Sequence, residues 1–308
     1  MIFLLIKINM SYQTYEPTQL YSAPRDYSFK KMITSLLERG KLKVKYINIL
    51  TNDENMELYS NAFTAASADP IKNYEIFEQL GDLSANKFIV WYAYHRFPQL
   101  ECPLGVKVVA RIRINYGARQ SFSQIADSLG FWPFISASME DRSRKKKDLL
   151  EDCLEAFIGC TEKILDKAYR PGVGYGIVFD ILSDIFDKIP ISLHYNDLYD
   201  AKTRLKELFD MHKSLGTWVF IDTRNELLAE SNIYQVPTGS SKQPMIQKTG
   251  PSKKDFISLP QSNWIHLGKG MAAKKADAQQ KAADYGLRSL NRKGWVREIP
   301  EEYTRFLE

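Results

Sequence analysis

The sequence predicts an all-α domain followed by a smaller α+β domain with the element order α-β-β-β-α. From about Lys30 to Ile189, apolar residues recur every three or four positions, which is the period of amphipathic helices. Beyond that point the pattern changes to one helix, three β-like runs and a final helix. The length of 308 residues suits about two domains. The predicted parts are an N-terminal extension (1–28), a helical domain (29–190), a linker (191–199), an α+β domain (200–295) and a C-terminal tail (296–308).

The composition is that of an ordinary globular protein. Hydrophobic residues make up 44% and charged residues 26% of the chain, which excludes wholesale disorder and a fibrous repeat. The formal net charge of +5 permits a polyanionic partner without requiring one, because the distribution of charge matters more than its sum.

The chain start and the cysteines indicate a soluble intracellular protein. The opening "MIFLLIKINM" is apolar for only six residues before Lys7, too short for a membrane span and without a cleavage site. Cys102, Cys153 and Cys160 form no close pair and have no histidine at ligand spacing. We therefore expect buried, inert thiols, a reducing cytoplasm and no membrane association.

Three segments carry the helical pattern of the first domain: "IFEQLGDLSANKFIVWYAYHRF", "SFSQIADSLGFWPFI" and "DLLEDCLEAFIGCTEKILDKAY". Pro98 and Pro103 end the first segment, and Gly117 breaks the chain before the second. A glycine-rich joint at 170–176, "RPGVGYG", precedes one more helix, "IVFDILSDIFDKI".

The second domain begins with the helix "AKTRLKELFDMHKSL" and ends with the helix "KADAQQKAADYGLRSL". Between them, "GTWVFIDTRNEL", "FISL" and "NWIHLG" have the composition of strands. The stretch from Ala229 to Lys248 has loop composition and is expected to lengthen the first hairpin connection. His266 has no ligand partner at metal spacing and is expected on the sheet surface.

Glu75, Glu78 and Asp82 share one face of the first long helix, because residues three, four and seven apart lie together. Like charges at this spacing cost a few tenths of a kcal/mol per pair, about as much as an ion pair gains. A solvated acidic face is the common explanation for such a triad. Here apolar residues surround the acids, which favours a partly enclosed site.

A second acidic pair, Asp152 and Glu155, lies within the apolar segment "LLEDCLEAFIGC". Carboxylate oxygens from two helices are the hard ligands that Mg²⁺ and Mn²⁺ prefer. Two such ions about 3.5–4 Å apart are a common device for hydrolysing phosphodiesters.

These two segments resemble the ribonuclease III family. "EIFEQLGD" is similar to its signature E-x-x-E-x-L-G-D, and "DCLEAFIG" to the downstream D-x-x-E-A-x-I-G. The resemblance implies Mg²⁺, with Mn²⁺ able to substitute, and a homodimer that cuts double-stranded RNA to leave 5′-phosphate and 3′-hydroxyl ends with two-nucleotide 3′ overhangs. It implies these roles: metal ligands Glu78, Asp82, Asp152 and Glu155; catalytic residues Glu75, Asp82 and Glu155, with Glu75 near the scissile phosphate.

Some positions depart from the family pattern. Tyr74 stands where the family usually has asparagine. The basic run "RSRKKK" at 142–147 is either a solvated loop or a phosphate contact beside the acids. The departures are compatible with a divergent lineage such as a large DNA virus, whose protein would work in the host cytoplasm.

The second domain resembles a double-stranded-RNA-binding domain in three places. "AKTRLKELF" is similar to its first-helix motif, "TGPSKKDF" to its G-P-x-H loop before the second strand, and "GKGMAAKKADAQQKAADYGLRSL" to its final G-x-G-x-x-K-K-x-A segment. Between Ser241 and Lys275 there are seven lysines and one acid, although the last segment alone would suit any exposed helix. The resemblance implies RNA contacts by Lys202, Lys253, Lys254, Lys269, Lys274 and Lys275.

Two other function classes stay open at this point. One is a non-catalytic double-stranded-RNA-binding or silencing-suppressor protein that keeps the nuclease fold. The other is a helical Mg²⁺-dependent nucleotide pyrophosphatase, which also carries paired acids on helices. The complete set of acids disfavours the first alternative, and the C-terminal pattern disfavours the second.

Overall fold

The computed structural model describes residues 19–224, 227–250 and 256–307. The chain divides into two compact units, Met1–Pro190 and Ile191–Glu308. The described part of the first unit is almost entirely helical, and the second combines helices with a small sheet. Among the described residues, no helix is long and apolar enough to cross a membrane.

The helices of the first unit follow one another with short connections. They are α1 (Tyr27–Arg39), α2 (Val44–Leu50), α3 (Asp53–Ala62), α4 (Glu75–Arg96), α5 (Gly105–Tyr116), α6 (Arg119–Ser128), α7 (Met139–Arg144), α8 (Lys146–Ala168) and α9 (Val173–Phe186). The ends agree with the predicted breaks, since α4 stops before Pro98 and α5 stops before Gly117.

Helix α8 lies at the centre of this unit and is buried over most of its length. Its apolar side chains contact α4 on one side and α6 on another, so the two acid-bearing helices pack directly on each other. Cys153 and Cys160 are buried in α8, as predicted. Cys102 is only half-buried, because it lies in the loop after α4 and not in a helix that faces the core.

The chain immediately before α1 is fixed to the helical unit. Strand β1 (Leu20–Tyr21) pairs antiparallel with β2 (Ala137–Ser138), just before α7. The described part of the predicted extension is therefore extended chain that packs on the helices.

Arg25 lies behind this short sheet and is largely buried among backbone oxygens. Its guanidinium donates to the carbonyl of Phe134 at 2.8 Å, the carbonyl of Phe63 at 3.0 Å and Oγ of Ser60 at 2.8 Å. The same group lies 4.7 Å from the ring centre of Phe29. One side chain thus links the residues before α1 to two separate segments of the unit, the end of α3 and the chain before β2.

The second unit has a three-stranded antiparallel sheet with helices on one face. Its helices are α10 (Tyr195–Leu198), α11 (Ala201–Met211), α12 (Lys275–Arg292) and α13 (Glu301–Thr304). Its strands are β3 (Thr217–Arg224), β4 (Ala229–Val236), β5 (Met245–Lys248), β6 (Phe256–Leu259) and β7 (Ile265–Ala272). The sheet order is β3-β4-β7, and β5 pairs with β6 in a separate hairpin. The predicted order α-β-β-β-α is therefore present.

The identity of the second sheet strand differs from the prediction. That strand is β4, in a stretch predicted to be a loop, whereas "FISL" forms β6 in the hairpin inserted between β4 and β7. The polar composition of β4 explains the error, because Glu230 and Asn232 face away from the helices. Ala229, Ser231 and Ile233 alternate with them and are buried.

The C-terminal tail packs back on the second unit. Tyr303 is buried, and its hydroxyl lies 2.7 Å from that of Tyr199, in the predicted linker. Tyr195 stacks against Tyr199 with ring centres 4.7 Å apart. Tyr195 and Tyr199 precede the predicted α+β domain, and Tyr303 follows it. Their contacts place both flanking regions in the second unit.

Candidate functional site

Two glycines allow α4 and α8 to cross at very close range. A β-carbon placed on Gly81 would lie 1.7 Å from the carbonyl oxygen of Glu155, and one placed on Gly159 would lie 2.1 Å from that of Phe77. Any side chain at either position would collide with backbone, so only glycine fits. The crossing therefore sets the distance between the acids on the two helices.

Three carboxylates meet beside this crossing: Glu78 from α4, and Asp152 and Glu155 from α8. One oxygen of each lies within 4.8 Å of the others. Glu155 is only 6% exposed, although it is an acid. Glu78 and Asp152 are half-buried. Three acids crowded in a partly buried site are unfavourable in the absence of a cation, and hard oxygen donors suit a divalent ion such as Mg²⁺.

The site raises the pKa values of its acids. Burial, and then the nearby charges of Asp82 and other acids, raise the pKa of Glu155 to about 8. Burial and the charge of Asp152 raise the pKa of Glu78. These shifts have the direction expected where carboxylates crowd together, and a bound cation would oppose them.

Asp82 and Glu75 lie at the edge of this group. Asp82 is close enough to raise the pKa values of Glu78 and Glu155, but its carboxylate accepts a 2.7 Å hydrogen bond from Asn86. It is not one of the three acids whose oxygens converge. Glu75 is exposed at the first position of α4, one turn before Glu78. Of the five predicted acids, three converge and two lie around them.

Tyr74 also belongs to the site. Its hydroxyl donates a 2.8 Å hydrogen bond to Oδ2 of Asp152, and its side chain is buried. The sequence shows Tyr74 as a departure from the family pattern, but its partner lies 78 positions further along the chain. The contact depends on the crossing of α4 and α8, so no local signal could have identified it.

A basic residue beside the acids was also missed. Arg119, at the start of α6, forms salt bridges with Glu151 at 2.5 Å and with Asp148 at 2.8 Å. Its guanidinium remains largely exposed, and it is near enough to Asp152 for the two charges to interact. It brings a cation to the rim of the acidic site, where the charge of a phosphate would be attracted.

Arg142, the first residue of the basic run at 142–147, is held by contacts within the protein. The guanidinium of Arg142 lies 3.9 Å from the ring centres of both Tyr21 and Trp132, and it donates to the carbonyl of Ile135. This residue is therefore part of the packing, and a phosphate contact by Arg142 is disfavoured. Lys145 and Lys146 are exposed and paired with Asp141 and Asp127, respectively.

In the second unit, the first turns of α11 and α12 lie side by side. The side chain of Gln280 accepts from the backbone of Lys202 and donates to Asp200, the cap of α11. Lys275 begins α12, with Lys274 exposed just before it. Adjacent helix starts with lysines are suited to bind phosphates, since helix N-termini attract anions.

The lysines on this surface are also held by protein groups. The ammonium group of Lys202 donates to Gln279 at 2.8 Å, and that of Lys275 pairs with Asp222 at 2.9 Å. Gln279 in turn donates to Asp222 at 3.0 Å. We call this surface the lysine face, defined by Lys202, Lys274 and Lys275.

Lys269 lies apart from that face. Gly268 and Gly270 lie on the face of β7 that packs against α12. A β-carbon on Gly270 would lie 2.1 Å from the carbonyl oxygen of Ala278 in α12. Strand alternation puts Lys269 on the opposite side of the sheet, where it pairs with Glu230 at 2.8 Å. Lys253 and Lys254 lie outside the described residues.

Comparison with known proteins gives extensive sequence matches. A protein of Invertebrate iridescent virus 6 that carries the name "Putative ribonuclease 3" is 38% identical over 309 residues, covering 96% of this chain and 98% of that protein. A protein of Frog virus 3 with the same name is 44% identical over 176 residues, covering 56% of this chain and 47% of that protein. Ribonuclease 3 of Bacillus cereus is 25% identical and covers 86% of this chain and 97% of that protein. No protein-family model matches.

Solved structures also align with this chain. The nuclease domain of ribonuclease III from Campylobacter jejuni aligns with a TM-score of 0.39 and 24% identity, covering 48% of this chain and 100% of that one. Dicer from Pichia stipitis aligns with a TM-score of 0.33 and 16% identity, covering 80% of this chain and 96% of that one.

Proposed function

Because the chain belongs to the ribonuclease III family and is thus a nuclease, we propose that it is a divalent-metal-dependent endonuclease specific for double-stranded RNA. The products would carry 5′-phosphate and 3′-hydroxyl ends with two-nucleotide 3′ overhangs. One observation carries the proposal: Glu78, Asp152 and Glu155 meet at the crossing of α4 and α8.

These three acids would hold a divalent ion. When bound, Mg²⁺ or Mn²⁺ would supply an activated water and neutralise charge on the scissile phosphate. The acids provide only oxygen donors, and the crossing glycines fix the spacing of the helices that carry them. In the metal-free protein Glu155 favours its protonated form, so metal binding would displace that proton.

The acids at the edge would complete the site. Asp82 lies near Glu155 and would extend the ligand set to a second ion, as the two-metal form of the reaction requires. Exposed Glu75, one turn before Glu78, would face the substrate. Arg119 would contact a phosphate at the rim while it stays paired with Glu151.

The second unit supports an RNA duplex as the substrate. The lysine face offers two helix N-termini and three cations, and this suits a row of phosphates more than base edges. Recognition by phosphate and 2′-hydroxyl groups would make binding depend on duplex shape and not on sequence.

A homodimer through the helical unit is part of the proposal. Helix α4 carries an exposed apolar stripe of Ile76, Leu80, Leu83 and Trp91 on its outer side. A groove of about 540 Å³ lies beside Leu80 and Leu83. Exposed apolar side chains clustered on one helix face often mark an interface, and a two-fold pair would bury the same residues from both copies.

The test is cleavage of a long RNA duplex by the full chain, with Mg²⁺ or with a chelator, next to the Glu155→Gln variant. We expect discrete shortening by the wild type with Mg²⁺, and loss of at least 100-fold in rate without the metal or with Glu155→Gln. Glu57→Gln, which changes an exposed acid on α3, is the matched control and should cleave normally.

The same assay separates the alternatives. Binding of the duplex without cleavage by the wild type would contradict the proposal and favour a non-catalytic RNA-binding protein. Hydrolysis of nucleoside triphosphates in place of RNA would favour a pyrophosphatase. Sequencing of the product ends would test the two-nucleotide overhang.

A further inference from the structure

Tyr74 connects the two acid-bearing helices at the site itself. It is the residue immediately before α4, and its carbonyl accepts the amide of Glu78 at 2.8 Å. Its own amide donates to the carbonyl of Thr64 at 2.9 Å, so the backbone is held from both sides. The side chain then reaches α8 and donates to Oδ2 of Asp152.

This hydrogen bond constrains Asp152. A carboxylate accepts about four hydrogen bonds or ligand contacts through its two oxygens. The tyrosine takes one of these places and fixes the rotation of the group, leaving the others for a cation. Since the hydroxyl has no net charge, it adds nothing to the crowding of negative charge among Asp152, Glu78 and Glu155.

The rigidity of Tyr74 makes this constraint effective. Its side chain is 6% exposed and is held in place by the protein around it. A buried aromatic ring has few rotamers available, so its hydroxyl remains at one position relative to α8. Partners of this kind, in the layer around the metal ligands, commonly change metal affinity by 10- to 100-fold.

We propose that Tyr74 is a positioning residue for the metal centre: its hydroxyl holds the carboxylate of Asp152 in the orientation that binds the divalent ion. The inference rests on the proposed metal-dependent nuclease function and assigns a role to a residue outside the family's acidic set. Tyr74 acts through Asp152 and does not itself contact the ion or the RNA.

The experiment uses the full-length chain and measures thermal unfolding as Mn²⁺ or Mg²⁺ is added, because an ion that binds the folded state raises the unfolding temperature. Wild type is compared with Tyr74→Phe, which keeps the ring and removes the hydroxyl. Tyr92→Phe is the matched control. Tyr92 lies within α4, and its hydroxyl donates a 2.7 Å hydrogen bond to Asp187, outside the site.

We expect Tyr74→Phe to move the metal concentration at half-maximal stabilisation about tenfold higher. RNA cleavage by this variant should need correspondingly more metal and approach the wild-type rate when metal is saturating. Tyr92→Phe should lower the unfolding temperature without moving the metal midpoint. In an Asp152→Asn background, Tyr74→Phe should have little additional effect on the midpoint, because the two residues act together.

An unchanged metal midpoint in Tyr74→Phe would overturn the inference, as would an equal shift in Tyr92→Phe. A wild type that gains no stability from either ion and cleaves no RNA would instead overturn the proposed function. The two failures are therefore distinguishable in one set of titrations.

Discussion

Gly81 lies directly against the backbone carbonyl of Glu155, so close that a β-carbon on Gly81 would be 1.7 Å from that oxygen. The contact joins the "LGD" segment of α4 to the acidic segment of α8. The glycine in the first motif is therefore required by packing, while the acids next to it are required by chemistry.

Gly81→Ala should force the two helices apart and separate the acids. We expect a loss of about 1–3 kcal/mol in unfolding free energy or more, with loss of cleavage even where the protein still folds. Denaturant unfolding and the RNA assay measure the two effects. Gly176→Ala is the control, since no atom lies within 4 Å of its β-carbon and alanine favours helix. Equal stability of the Gly81 and Gly176 variants would contradict the packing argument.

The raised pKa of Glu155, about 8, predicts a pH-dependent stability in the metal-free protein. The folded state keeps the proton more tightly than the unfolded state, so stability is greatest below the usual glutamate pKa and falls as pH rises to about 8. Glu155→Gln should not show this fall. With a chelator present, its unfolding temperature relative to wild type should rise between pH 5 and pH 8 and then level off.

Glu57→Gln again provides the comparison, and it should run parallel to wild type over this pH range. A constant difference between Glu155→Gln and wild type at every pH would count against the assignment of this titration to Glu155.

Arg142→Ala should destabilise the first unit, because the guanidinium is packed between two aromatic rings and donates to buried carbonyls. We expect a loss of about 1–3 kcal/mol. Arg144→Ala removes an exposed arginine two residues away and should cost less than about 0.5 kcal/mol. Urea unfolding measures the free energy of unfolding of both variants. A larger loss of stability for Arg144→Ala than for Arg142→Ala would contradict the packing role of Arg142.

The lysine face should dominate the salt dependence of duplex binding. Replacing Lys274 and Lys275 by alanine should weaken affinity and lower the slope of log K against log salt by up to about one for each lysine. Lys269→Ala, on the other side of the sheet, should leave the slope unchanged. Filter binding of RNA at several salt concentrations measures this, and a flatter slope for Lys269→Ala would place the RNA elsewhere.

Leu83→Asp should prevent self-association, because it puts a charge in the centre of the exposed stripe on α4. Sedimentation equilibrium should then report a dimer for wild type and a monomer for the variant. Val106→Asp changes a similarly exposed residue on α5 and should remain dimeric. A monomeric wild type, or dimers in the Leu83 variant, would exclude this interface.

The helical unit was largely predictable because its signals are local. Apolar periodicity gives α4 and α8, and Pro98 and Gly117 mark where helices end. The acids could be found from spacing, since residues three and four apart must share a helix face. The roles of Tyr74 and Arg142 were not predictable in this way, because each depends on a partner brought close only by the fold.

The strands of the three-stranded sheet were harder to predict from the sequence than the helices. Strand β4 has alternating buried and polar residues, but its polar residues outnumber the usual β-formers and resemble a loop. The short "FISL" run has stronger strand composition and pairs outside the sheet. Strand composition alone does not determine which strands become neighbours, because pairing depends on packing against α12.

The hydrogen bonds of Arg25 make the stability of the first unit depend on residues that precede α1. A fragment that starts at Phe29 would contain all five acids of the candidate site, yet it would lack the donor for the carbonyls of Phe63 and Phe134. Those oxygens lie in the segments that lead into α4 and α7. Protease trimming between Arg25 and Phe29 should therefore weaken the scaffold of the first unit while leaving all five acids in the remaining chain.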